Sequence, residues 1–282
     1  MGLRGLMLAI GLAGGFALPG QLAADVRPQK PMRIMSTSQC TDMLLLQLVP
    51  RQRVASVTYL AADAAEAVAP GLGKGVPVNH GSAEELLAQK PDLILAGDLA
   101  APMTRKIAKK LGAPIVEVKT AVTFDDIRAN VRQVGAAVGE PARAEAILAE
   151  MDRELSTLRA SAPKTPYRIV LWTGDSVPGT GTLANTVIAA SGAINIAARP
   201  TPFYDSFGVE DLLKARPEVL IFGHDDVSQP SLTQEALQHR LVRQRYAGRE
   251  IAYPESLLNC GVPQSAKAAV MLRAAFQRMT GR

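Results

Sequence analysis

The stretch Gly81-Ser82-Ala83-Glu84-Glu85-Leu86-Leu87-Ala88-Gln89-Lys90-Pro91-Asp92-Leu93-Ile94-Leu95-Ala96-Gly97 has a second copy, Gly208-Val209-Glu210-Asp211-Leu212-Leu213-Lys214-Ala215-Arg216-Pro217-Glu218-Val219-Leu220-Ile221-Phe222-Gly223. Each copy opens with carboxylates suited to the positive end of a helix dipole, turns at a proline and ends in an apolar run of the kind that fills a buried parallel strand. Glu84 pairs with Glu210, and Pro91 with Pro217. The match extends outward, because Arg33-Ile34-Met35 corresponds to Arg168-Ile169-Val170, and Ile115-Val116-Glu117 to Ile251-Ala252-Tyr253, in the same order. Two similar halves of alternating strands and helices call for mainly parallel sheets covered on both faces.

Between the halves, Phe124 to Val138 carries apolar residues at helical spacing, and Gly139-Glu140-Pro141 interrupts it. A second helix then runs from Ala142 to Ala160 with Ile147, Leu148, Met151, Leu155 and Leu158 on one stripe. At 1.5 Å per residue it is about 28 Å long. The expected fold class is therefore α/β, two similar lobes with mainly parallel sheets joined by one long helix, with a ligand cleft between them. The expected segments are a signal peptide at 1–24, an N-terminal lobe at 25–140, the connecting helix at 141–162 and a C-terminal lobe at 163–282. A helical connector is stiffer than a loop, so large lobe closure is not expected.

The chain has 282 residues, 48% of them hydrophobic and 20% charged, enough apolar content for a full core. Its formal net charge of +5 is spread along the sequence without a run of like charges, so no nucleic-acid partner is expected. The N-terminus places Arg4 before an apolar run from Leu6 to Leu18 and reaches Ala23-Ala24 before Asp25. That run is shorter than the roughly 20 residues a membrane-crossing helix needs, so it reads as a secretory signal, and the remainder is expected outside the cytoplasm. There is no glycine-rich phosphate loop, His-Glu-x-x-His or Gly-x-Ser-x-Gly, and neither an enzyme nor a cofactor is expected.

Three motifs sharpen the reading. Arg33-Ile34-Met35-Ser36-Thr37-Ser38-Gln39-Cys40-Thr41-Asp42, the Ser82 to Ala96 segment with Lys90-Pro91-Asp92-Leu93-Ile94-Leu95, and Asn259-Cys260-Gly261-Val262-Pro263 span nearly all of residues 30–280. Together they resemble periplasmic substrate-binding proteins of the helical-backbone class, the iron-siderophore, cobalamin and heme binding family. The resemblance implies a monomer that delivers a metal chelate, a corrinoid or a ferric siderophore, to the permease subunits of an ABC importer. It also implies docking through one acidic residue per lobe, which falls on Glu84 and Glu210; both residues equally suit the helix dipole.

In open α/β sheets, ligands bind beyond the carboxyl ends of the strands. The loops there are expected at 36–41, 58–63, 79–81, 97–102, 172–182, 202–207, 224–226 and 257–263. They hold Tyr59, Trp172, Phe203, Tyr204 and Phe207 out of only 12 aromatic Phe, Trp and Tyr residues. Trp172 and Tyr204 are the preferred ligand contacts among them. Cys40 and Cys260, the only cysteines, read as a disulfide, as two free thiols that touch ligand or as soft donors to a metal such as Cu(I), since a bond would have to staple the cleft and needs Cα atoms within about 7 Å. Tyr59 and His80 are candidate donors to a heme iron or another metal, Tyr59 by the family's habit of placing a tyrosine after the second strand. His224 and His239 lack metal spacing, and Arg199 is a candidate contact for an anionic chelate. A remaining alternative is a thiol enzyme with Cys40 as nucleophile and His80 as base.

Overall fold

The computed structural model describes residues 30–61, 68–98, 102–223, 235, 238–253 and 256–281. The expected signal peptide and His224 lie outside the described residues. The first sheet contains β1 (Ile34–Ser36), β2 (Val54–Thr58), β3 (Val78–Asn79), β4 (Leu93–Gly97) and β5 (Ile115–Val118). It is wholly parallel, in the order β3-β2-β1-β4-β5. The later strands are β6 (Tyr167–Leu171), β7 (Ser176–Pro178), β8 (Ala193–Asn195), β9 (Tyr204–Ser206), β10 (Val219–Gly223) and β11 (Glu250–Tyr253). Four of them form a second parallel sheet, β11-β10-β6-β8, while β7 and β9 pair antiparallel as a separate ribbon.

The helices are α1 (Gln39–Leu48), α2 (Ala83–Gln89), α3 (Pro102–Leu111), α4 (Phe124–Ala137), α5 (Pro141–Ala160), α6 (Leu183–Ala190), α7 (Val209–Ala215), α8 (Arg240–Tyr246), α9 (Ser256–Asn259) and α10 (Gln264–Thr280). The sequence repeat becomes α2-β4 and α7-β10. Both helices have seven residues, and each is capped by a carboxylate three residues past its N-cap: Glu85 accepts from the Ser82 N–H, and Asp211 from the Gly208 N–H. Both end on a residue in the left-handed region, Lys90 (φ 46°) and Arg216 (φ 50°), the two non-glycine residues with positive φ among those described. A proline then starts the turn into each strand.

Strand alternation sends successive side chains to opposite faces. Ile34, Leu93, Leu95, Ile169, Leu171, Val219 and Ile221 join one large cluster, while Met35 and Ile94 join a second cluster on the first lobe and Val170 and Leu220 a third on the second lobe. The large cluster runs through both lobes. Leu148, Met151, Leu155 and Leu158 of α5 carry it across, packed between α4 and α10. Buried Arg53 fixes the start of α5 to the first lobe, donating to the Pro31 carbonyl (2.7 Å), to Glu140 (2.6 Å) and to the Val138 carbonyl. The connector is thus a rod with one face buried in a core shared by both lobes and its other faces open to solvent.

Trp172 departs from its expected place at the cleft. It is 0% exposed in the third cluster with Val177, Leu212, Val242 and Tyr246, and its indole N–H donates to the Phe207 carbonyl at 2.7 Å. The reason is packing: the β7–β9 ribbon and α8 close over the end of β6, leaving the indole no surface to offer a ligand. Phe207 packs against the same cluster.

Because the lobes share one core, Leu155→Ala is expected to cost about 2–5 kcal/mol, as other large-to-small core substitutions do. Denaturant unfolding should remain one cooperative transition in both proteins; two transitions would show lobes that fold apart.

Candidate functional site

A cavity of about 450 Å³ opens at the carboxyl ends of the first sheet. Thr37 and Ser38 line it after β1, His80 and Gly81 after β3, and Asp98 after β4. Cys40 and Thr41 enter from α1, Asn130 from α4, and Asn259 and Gly261 from the second lobe.

Behind the cavity lies a buried polar network. Asn79 donates through Nδ2 to the Ser36 carbonyl (2.9 Å) and the Ser56 hydroxyl (2.9 Å), and its Oδ1 accepts from the Gly81 N–H (3.0 Å). The Ser36 and Thr41 hydroxyls meet at 2.7 Å, and Thr41 also donates to the Ser38 carbonyl (2.9 Å). Asp42, 0% exposed, accepts through Oδ2 from the Thr58 N–H (3.1 Å) and hydroxyl (2.5 Å). Burial pushes its carboxyl above the ordinary range, against the opposing pull of hydrogen bonds from Ser36 and Thr58. Next in sequence, Tyr59 donates its N–H to the Asn79 carbonyl at 3.0 Å. The network therefore sets where two adjacent loops leave the sheet.

On those loops, Tyr59 and His80 lie side by side at the surface. Their rings stack with centroids 5.2 Å apart and 22° between planes. Tyr59 is 57% exposed and the His80 side chain is open to solvent. Glu85 anchors His80: it accepts from the Ser82 N–H (3.0 Å) and the His80 N–H (2.9 Å), and His80 Nδ1 lies 3.4 Å away. Those hydrogen bonds, led by that of Ser82, hold the Glu85 carboxyl below its ordinary range.

Cys40 and Cys260 are bonded to each other, with Cα atoms 5.0 Å apart across 220 residues of sequence. The first turn of α1 and the residue after α9 meet there, so the distance that an open cleft would forbid is met. The alternatives of free thiols, thiolate metal donors and a Cys40 nucleophile fall with this bond. Cys40 still lines the cavity as half of the disulfide, and Cys260, 1% exposed, sits between lining residues. The Tyr204 hydroxyl lies 3.5 Å from Asn259 Oδ1, and Phe203 beside it is 72% exposed. Arg199 and His239 are exposed and line no part of this cavity. Glu84 and Glu210 occupy equivalent positions in the first turns of α2 and α7, both exposed; Glu210 lies 3.7 Å from Lys214.

Sequence reasoning missed the wall formed by Lys119, Thr120 and Asn130. Asp98 ties that wall to β4, accepting from the Thr120 N–H (3.0 Å) and hydroxyl (3.1 Å), while Asn130 donates to the Lys119 carbonyl (2.8 Å). The signal was available: these residues follow β5, and the strand-end rule that singled out the other loops covers this one too.

Two parallel-sheet lobes around a helical rod, with a polar cavity at the strand ends, define a two-lobed ligand-binding protein. The chain belongs to the periplasmic binding protein family, whose profile matches residues 34–250. It is similar to the vitamin B12-binding protein of Pectobacterium atrosepticum, 28% identical over 152 residues that cover 50% of this chain and 53% of the relative. The chain thus spans about half the length of the curated relatives it matches. Its fold is similar to that of the apo periplasmic heme-binding protein RhuT from Roseiflexus sp. RS-1 (TM-score 0.70, 23% identity, 88% of this chain and 98% of the other). It is also similar to that of the periplasmic vitamin B12 binding protein BtuF of Vibrio cholerae (TM-score 0.67, 20% identity, 90% and 99%). No helix among the described residues is long and apolar enough to cross a membrane.

Removing the carboxylate in Asp42→Ala leaves the buried Thr58 N–H and hydroxyl without their acceptor, at an expected cost of about 1–3 kcal/mol. Asp42→Asn keeps one acceptor oxygen and should cost less. Equal losses in urea denaturation would show that the Thr58 contacts do not anchor this loop.

Proposed function

We propose that this protein captures a metal chelate, a corrinoid or a ferric siderophore, in its cleft and delivers it to an ABC importer without catalysing a reaction. The observation that carries the reading is the cavity at the strand ends, of a size typical of small-molecule sites and walled by hydroxyl, amide and charged groups held from behind by buried hydrogen bonds. The family's periplasmic setting supports export by the segment at 1–24, with a monomer built from lobes at 25–140 and 163–282 and a connector at 141–162.

The Tyr59–His80 stack favours a second reading, heme bound by direct ligation. One phenol and one imidazole side by side suit the vacant axial position of a metal already held in a macrocycle, whereas a bare ion calls for three or four donors.

Calorimetric and thermal-shift titration of the oxidised protein with cobalamin, cobinamide, heme and ferric hydroxamates tests both. A cognate ligand at 100 times its Kd should add about 2.7 kcal/mol of stability. No hit among the four overturns the chelate reading. Tyr59→Phe should weaken heme binding at least tenfold, change its visible spectrum and leave cobalamin binding intact; unchanged heme affinity removes Tyr59 as a ligand.

Glu84 and Glu210 are the docking residues in this proposal, since exposed charges steer association more than they stabilise the fold. Glu84→Ala/Glu210→Ala should retain ligand binding and lose most ligand-dependent stimulation of the importer's ATPase in reconstituted vesicles. Full stimulation by the double variant would place docking elsewhere.

A further inference from the structure

The disulfide joins the two lobes directly. Cys40 is the second residue of α1, at the carboxyl end of β1, and Cys260 directly follows α9, past the end of β11. Two hydrogen bonds cross the same junction: Gln264 Nε2 donates to Gln47 Oε1 at 2.7 Å, and the Thr186 hydroxyl donates to the Val122 carbonyl at 2.8 Å. Gly261 of the second lobe approaches Ala121 of the first so closely that a Cβ there would lie 2.2 Å from the alanine methyl.

The bond is also part of the cavity. Cys40 lines it, as do Asn259 and Gly261 on either side of Cys260, and Asn259 is the residue that Tyr204 reaches. Cys260 is buried and Cys40 half-buried on the cavity side, so a reductant approaches through the space a ligand would fill.

We infer that the Cys40–Cys260 disulfide is a reversible positioning latch for the ligand site. It holds the Asn259–Gly261 wall, and through Asn259 the Tyr204 ring, against the first lobe; reduction loosens that wall and weakens ligand binding. In the reduction, two electrons and two protons from a dithiol break the S–S bond and leave two thiols, the dithiol closing to its own disulfide. By reciprocity, bound ligand protects the bond. The inference rests on the cleft being the ligand site.

The test compares oxidised wild type, wild type reduced with dithiothreitol and then freed of it without air, and Cys40→Ser/Cys260→Ser. Heme and cobalamin serve as probes, and amide hydrogen exchange of residues 257–263 is followed without ligand. Reduction and the double substitution should each weaken binding at least tenfold and speed exchange at least tenfold. Dithiothreitol should not change the affinity of the double variant, and saturating ligand should slow reduction of wild type at least tenfold. Equal affinity of the oxidised and reduced proteins overturns the latch. If the double variant does not fold, reduced wild type decides alone. If the oxidised protein binds neither probe, it is the chelate reading that loses support, and the latch is judged on exchange: faster exchange on reduction upholds it, and unchanged exchange overturns it.

Discussion

The apolar stripe of α5 is the constraint on which the rest of the structure depends. Leu148, Met151, Leu155 and Leu158 bury one face of the connector in a single core shared by both lobes. Lobes joined this way cannot swing apart without exposing that stripe to water, at about 25 cal/mol for each Å² of apolar surface. The cleft is therefore built before any ligand arrives, and a prebuilt site avoids most of the ordering cost of binding. Arg53 serves the same end: buried, with carbonyl and carboxylate partners on both sides of Gly139, it fixes the angle at which α5 leaves the first lobe.

At the far side of the same junction the Cys40–Cys260 bond closes a loop of 220 residues. On the chain-entropy account a loop of that length restricts the unfolded chain by about 5 kcal/mol. Rod and bond act in different states. The stripe of α5 stabilises the folded arrangement, whereas the bond chiefly limits the unfolded one and, in the folded protein, defines one edge of the cavity.

The sequence made the scaffold legible because the scaffold repeats. Two copies of one helix, proline turn and apolar strand imply two parallel sheets, and α2-β4 and α7-β10 share even their left-handed last residues. The site was legible in part. His80 and Cys40, which line the cavity, follow from the strand-end rule, and the loop after β5 does too, whereas Tyr59 stands outside the lining residues. Trp172 was misplaced because its burial depends on how the β7–β9 ribbon and the distant α8 close over it, an approach no local pattern encodes. The cysteine pairing was undecided for a similar reason: the distance between two loops 220 residues apart is a property of the closed junction, and spacing in sequence carries none of it.

The pseudo-symmetry holds outside and breaks inside, and the break follows from what each surface faces. Glu84 and Glu210 sit at matched positions on matched helices, a geometry suited to a partner that is itself two similar subunits. The chelate of the proposed function presents no such repeat to the cleft. There the first lobe supplies a five-stranded sheet, His80, Asp98 and Lys119. The second lobe has four strands in its main sheet, with the β7–β9 ribbon beside it, and contributes one wall at Asn259 and Gly261. Repetition of a fold unit fixes the outer helices together with the sheets they cover, so matched surface carboxylates come with the scaffold. The loops past the strand ends carry no sheet hydrogen bonds and diverge without disturbing it, which lets one cavity hold an asymmetric ligand on a symmetric frame.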